Sequence, residues 1–255
     1  DEASQVTPED AIGAILRGKS LIVVGDSQQL PPTNFFTASS ISGTDFDDLD
    51  DLDSDLQTME SLLDECTGIG FREKMLKFHY RSRKEGLIAF SNQQYYNGRL
   101  FTFPDISNEE KGDQISSIET EISDQEKLEN YSNIDDLTAI DFRYIKDGVK
   151  FKAKNVIEAD FVAQAIINHY KGNQKYGTNY SLGIVAFSVA QQETIRSALE
   201  KLIRKEPSIE SIMNKDEEEG LFIKNLESVQ GDERDFIFFS VGYAKDPKGK
   251  LSLNF

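Results

Sequence analysis

The first run of helical spacing opens at Thr7-Pro8-Glu9-Asp10, with a hydroxyl in the cap position, proline at the first helical position and acids in the first turn. Ala11 to Arg17 continues it and Gly18 stops it. Ser20-Leu21-Ile22-Val23-Val24 is then a short continuous apolar run, the pattern of a strand buried on both faces. It leads into Gly25-Asp26, which puts Asp26 at a strand's C-terminal end, the edge where open α/β sheets bind ligands. Further along, the pattern predicts strands at 75–80, 138–145, 181–187, 221–225 and 236–241, and helices at 84–92, 155–170 and 190–203. Strand and helix alternate throughout. The expected fold is therefore α/β, a mostly parallel sheet with helices on both faces.

Charge changes the picture only locally. The 255 residues carry a formal −17, which taken whole argues against a nucleic-acid surface. Residues 41–66, however, hold ten acids and no bases, and residues 101–136 hold eleven acids against two bases. The rest of the chain is close to +2. A block such as Asp45-Phe46-Asp47-Asp48-Leu49-Asp50-Asp51 reads as a solvated loop, because it lacks the ligand spacing, central glycine and terminal glutamate of a calcium loop. No apolar run approaches the roughly 18–20 residues that cross a bilayer. One cysteine, Cys66, leaves no internal disulfide, so a reducing, cytoplasmic setting is expected. The chain opens on Asp1 and not on methionine, and the expectation is a piece of a longer protein.

Gly13-Ala14-Ile15-Leu16-Arg17-Gly18-Lys19-Ser20 matches the phosphate-loop pattern G-x-x-x-x-G-K-S, but in inverted context. A phosphate loop follows a strand and opens a helix, so that backbone amides face the phosphates. Here a helix precedes, which makes Gly18 a stop and Lys19 a favourable cation beside the helix end. The paired carboxylates Asp1-Glu2 are a better candidate, about 20 residues ahead of Asp26. One such carboxylate can hold a magnesium that bridges phosphates while its neighbour orients or activates the attacking water. That assigns Asp1 to metal and Glu2 to water; an exposed acidic terminus is the plain alternative.

Taken together, Asp1-Glu2-Ala3-Ser4-Gln5 and Gly25-Asp26-Ser27-Gln28-Gln29-Leu30-Pro31-Pro32 resemble motifs II and III of superfamily 1 helicases. Three further segments keep the order. Phe78-His79-Tyr80-Arg81-Ser82-Arg83, with Ile88 to Asn92 and Tyr95-Tyr96-Asn97-Gly98-Arg99-Leu100, is similar to the opening of the second RecA-like domain in the branch of the nonsense-mediated decay helicase. Ile184 to Phe187 with Gln191 is similar to the next motif, and Val229-Gln230-Gly231-Asp232-Glu233-Arg234-Asp235 to motif V. The wording around these segments looks most like that of large bacterial helicase-like proteins.

The resemblance implies a P-loop NTPase of RecA-like fold, with residues 1–66 the C-terminal part of a first RecA-like domain and 67–255 a second. It implies ATP and magnesium as cofactors and single-stranded DNA, before RNA, as partner. Gln29 then senses the terminal phosphate, Asp26 couples it to the strand-binding surface, and Arg81 stabilises the transferring phosphoryl oxygens on domain closure. Gly231 and Glu233 sit near the nucleotide and the strand-binding groove, with Glu233 the nucleotide contact. The phosphate loop is expected upstream and a second arginine motif downstream, with flanking domains around them. Negligible ATP turnover is thus expected of this chain alone. Two rivals are a binding or regulatory module that no longer hydrolyses nucleotide, and a metal nuclease using Asp1, Glu2 and Asp26. His79, His169 and Cys66 read as structural; Phe35-Phe36 as a stacking pair or a packed edge; and Arg72, Lys74, Lys77, Arg81, Arg83 and Lys84 as a basic cluster open to phosphates or an ordinary mixed surface.

Overall fold

The computed structural model describes residues 2–32, 60–103, 116–120, 139–213 and 220–251. Asp1, Phe35-Phe36 and most of both acidic stretches lie outside the described residues. The chain divides into two compact units, Asp1–Pro104 and Asp105–Phe255.

In the first unit, α1 (Pro8–Ile15) begins with proline and acids, as the sequence requires, but Thr7 spends its hydroxyl on the Asp10 carboxylate (2.9 Å) and not on a backbone amide. Helix α2 (Leu62–Gly68) starts with a capping box: the Asp64 amide donates to Ser61 Oγ at 3.1 Å, and the Ser61 amide donates back to the Asp64 carboxylate at 3.3 Å. Helix α3 (Gly86–Tyr95) ends in a turn through Asn97 (φ 53°) and Gly98 (φ 65°). The apolar runs at 20–24 and 75–80 are not strands of a sheet. Leu21, Ile22 and Val24 are 37, 87 and 39% exposed, against the burial on both faces that the pattern predicts. A continuous apolar run is a strand only where neighbouring backbone completes its ladder. For the second run that neighbour is brief, a parallel bridge between Phe78 and Phe101.

The second unit holds the sheet. β1 (Ser116–Thr120) and β2 (Asp141–Ile145) form a parallel pair. α4 (Val156–Tyr176) begins at Asn155, whose side chain accepts from the Glu158 amide, and ends at Gly177, which takes the left-handed conformation that a side chain would resist (φ 69°). β3 (Leu182–Ala186) is buried along its whole length. α5 (Val189–Lys205), capped by Ser188, and the short α6 (Ser208–Met213) lead to β4 (Phe222–Asn225), and a 3-10 turn at Leu226–Ser228 precedes β5 (Phe236–Ser240). The order is β4-β3-β5, all parallel.

Parallel neighbours on both sides of β3 explain why its sequence is continuously apolar. Leu182, Ile184 and Ala186 join one core with Ala159, Ile166 and Tyr170 of α4, Ile195 and Leu199 of α5 and Ile223 of β4. Gly183 leaves the space that the Phe222 ring fills from the adjacent strand, where a Cβ would stand 2.2 Å from the ring. This parallel α/β arrangement is the architecture that the alternating pattern predicts. No described helix is long and apolar enough to cross a membrane.

Candidate functional site

The backbone of the first unit joins the two carboxylate-bearing segments. The Ala3 amide donates to the Val24 carbonyl at 2.9 Å, and the Leu63 amide donates to the Ala3 carbonyl at 3.2 Å. Gly25 is in contact with the same turn: a Cβ there would stand 2.9 Å from the Ser4 nitrogen and 3.2 Å from the Ala3 nitrogen. Glycine before Asp26 is thus what lets the two segments meet. Glu2, immediately before this junction, is exposed and held at φ 61°, an uncommon left-handed conformation for a non-glycine residue.

Asp26 organises the next turn. Its Oδ1 accepts the Gln28 amide at 3.0 Å and its carbonyl accepts the Gln29 amide at 3.1 Å, leaving Gln29 exposed at the surface. Its Oδ2 accepts the Tyr96 hydroxyl at 2.5 Å. Burial first, and then the hydrogen bond and charge of Asp26, push the Tyr96 phenol up to about 12. A carboxylate committed to its own turn and to a tyrosine is poorly placed as a metal ligand, which weighs against the nuclease arrangement. Among the described residues no group of three His, Cys, Asp or Glu side chains could hold a metal. Nucleotide-bound magnesium takes only one or two carboxylates and completes its shell with phosphate and water.

Arg81 is exposed on a loop held from two sides. On one, the His79 amide donates to the Phe101 carbonyl at 2.9 Å and the Phe101 amide to the Lys77 carbonyl at 2.7 Å. On the other, His79 Nε2 accepts the Ser82 amide at 3.2 Å, with Ser82 Oγ 2.7 Å away. An amide only donates, so this nitrogen carries no proton and the ring is neutral. Burial, and secondarily the Arg81 charge, lower His79 below its ordinary 6.5. The folded state then binds fewer protons than the unfolded chain near that pH. The stability contributed is present above 6.5 and lost as pH falls through the lower folded value. Acidification through the lowered folded value is expected to loosen the Arg81 loop, seen as faster exchange of the Ser82 amide as the His79 ring titrates. Ring titration at or above 6.5 would contradict this.

Gly231 and Glu233 lie in the second unit, on the connection between β4 and β5, and both are exposed. Gly231 is the third residue of a turn closed by the Asp232 amide on the Val229 carbonyl (3.0 Å), and its φ of 84° requires glycine. Lys224 pairs with Asp232 across this connection. Arg234 donates to the Gly220 carbonyl at 3.0 Å and stacks on Phe222. Asp235 ties the ends of two strands, accepting the Ser181 amide and hydroxyl at 3.0 Å each.

Two residues read differently from the motifs that contain them. Gln191 is 1% exposed and is a structural tie: it accepts the Asn155 amide and donates to the Asn155 carbonyl and to Ser240 Oγ. Ser240 in turn donates to Glu158 at 2.8 Å, so the start of α4, the start of α5 and the end of β5 share one satisfied buried network. Tyr96 carries the opposite lesson. The sequence shows it only as part of Tyr95-Tyr96-Asn97-Gly98, and nothing local signals that it reaches Asp26. The structural readings of the lesser residues agree with their surroundings: Cys66 is buried and unbonded, and His169 is buried, donating to the Tyr180 carbonyl at 2.7 Å.

Residues 58–252 match the family model AAA_12, described as an AAA domain. The uncharacterized ATP-dependent helicase MG140 of Mycoplasma genitalium is 32% identical over 252 residues, and the MG140 homolog of Mycoplasma pneumoniae is 32% identical over 247 residues. Each comparison covers 95% of this chain and 19% of the relative, so the chain spans about a fifth of the length of the curated relatives it matches.

Proposed function

Because the chain belongs to the AAA_12 family of AAA domains, we propose that it is part of the motor of an ATP-dependent superfamily 1 helicase or translocase. The whole protein couples magnesium-dependent ATP hydrolysis to movement along single-stranded nucleic acid, DNA before RNA, in the cytoplasm. The observation that supports this reading is the backbone junction of Ala3 with Val24 and Gly25, which joins the segments that carry Glu2 and Asp26. A water-orienting carboxylate and a phosphate-sensing amide must share one site, and the backbone contact between these two segments supports that reading. The names of the relatives, ATP-dependent helicases, point the same way.

In this reading residues 1–66 are the C-terminal part of a first RecA-like domain and 67–255 a second, followed and preceded in the whole protein by further domains. Asp1 and the bound nucleotide would hold magnesium, which supplies charge neutralisation on the phosphates. Glu2 orients the attacking water, Gln29 faces the terminal phosphate, and the Arg81 guanidinium stabilises charge on the transferring group. Gly231 and Glu233 add a nucleotide and strand contact. Lys19 does not serve the phosphates, because it follows the end of α1, where carbonyls and not amides are exposed. The chain by itself is therefore expected to turn over negligible ATP.

The test is ATP turnover by the full-length protein, alone and with single-stranded DNA or RNA. Stimulation by a strand supports the motor and identifies its preferred track. A folded, nucleotide-binding protein without turnover would replace it with a non-hydrolysing binding or regulatory module.

A further inference from the structure

The Tyr96–Asp26 hydrogen bond links residues 70 positions apart, and the proposed domain division would put them in different RecA-like domains, although both lie in the first compact unit. Its two ends are built differently. Asp26 is the hub of the turn that presents Gln29, through the Gln28 and Gln29 amides. Tyr96 is half-buried and stands on a locked turn. Its amide donates to the Asn92 carbonyl, its carbonyl accepts the Arg99 amide at 3.0 Å and Arg99 Nε at 3.2 Å, and Asn92 exchanges two side-chain bonds with the Leu100 backbone. The Gly98 amide adds a bond to the Asn92 carbonyl at 2.8 Å. A hydroxyl on a fixed turn that donates to the carboxylate of another turn constrains where that second turn can sit. The phenol stays protonated, and so remains a donor, across the ordinary pH range.

We infer that Tyr96 is a positioning residue of the nucleotide site: through Asp26 it holds the Gln29 turn in place and so links the 95–100 turn to the catalytic segment. The inference rests on the motor reading above. Removing only the hydroxyl, in Tyr96→Phe, keeps the ring and frees one lobe of the Asp26 carboxylate. A hydrogen bond to a charged group of this kind corresponds to roughly a tenfold effect or more. The Gln28 and Gln29 turn would then fluctuate more, and kcat would fall while KM for ATP moved little, because in this role Tyr96 acts only through Asp26.

The experiment compares wild type, Tyr96→Phe, Asp26→Ala and the double variant as full-length proteins. It measures strand-stimulated ATP turnover together with amide exchange at Gln28 and Gln29 and at Ile184, a core reporter in the second unit. The expected result is about a tenfold loss of kcat and about tenfold faster exchange at Gln28 and Gln29 in Tyr96→Phe, with Ile184 unchanged. In the Asp26→Ala background the same substitution should change kcat less than about twofold, since the path through Asp26 is already gone. Wild-type kcat in Tyr96→Phe, or equal losses in both backgrounds, would overturn the inference while leaving the motor standing. Absence of turnover in wild type would remove the motor and the positioning role with it, even if exchange at Gln28 still responded.

Discussion

Arg81→Ala in the full-length protein is expected to lower strand-stimulated ATP turnover about 10³-fold, the low end of what an arginine aimed at a transferring phosphoryl group contributes. Arg81 is exposed, and backbone and side-chain bonds of His79, Ser82 and Phe101 hold its loop. The loss should therefore appear in kcat with the melting transition nearly unmoved, as for surface substitutions generally. Arg81→Lys should recover only part of it, because an ammonium keeps the charge but not the planar two-pronged donor. A decrease smaller than about tenfold in Arg81→Ala would show that this residue does not face the phosphates.

The largest stability effect is expected at the opposite end of the chain. Ile184 is fully buried at the centre of β3, in register with Ile223 on one side and Phe238 on the other. Truncation to alanine removes three carbons from a core shared by two long helices and two strands, and the sheet cannot collapse around the space. Ile184→Ala should cost about 3 kcal/mol, and Ile184→Val about 1 kcal/mol. Denaturant titration of the chain measures both. A loss under about 1 kcal/mol for alanine would mean that β3 is not the centre of this core.

Most of the second unit was legible because its elements carry their own signals, whereas β1, inside the acidic stretch 101–136, and α6 were not anticipated. β3 and β5 follow from continuous apolar runs, and α5 from its helical pattern over 190–203. α4 runs past the predicted end at residue 170 to Tyr176 because its last turns, Lys171-Gly172-Asn173-Gln174-Lys175-Tyr176, are polar and lose the apolar stripe while Gly177 supplies the actual stop. The first unit was less legible for a different reason. The runs at 20–24 and 75–80 have strand composition, but a strand is a property of a pair, and composition says nothing of the partner. The candidate site followed the same division. Glu2, Asp26, Gln29 and Arg81 were proposed from short local segments that resemble helicase motifs. Tyr96 was missed because its bond to Asp26 spans 70 residues, and Gln191 was given a place in a motif although its side chain is consumed by a buried network.

The most direct test of the account is ATP turnover by the full-length protein and by its Glu2→Gln variant, each with and without single-stranded DNA. Glutamine fills the same space and cannot act as a base, so the substitution isolates the carboxylate. The account predicts strand-stimulated turnover in the wild type and a loss of about 10³-fold in Glu2→Gln, with nucleotide binding kept. Equal turnover in the two proteins, or none in a wild type that binds nucleotide, would contradict it.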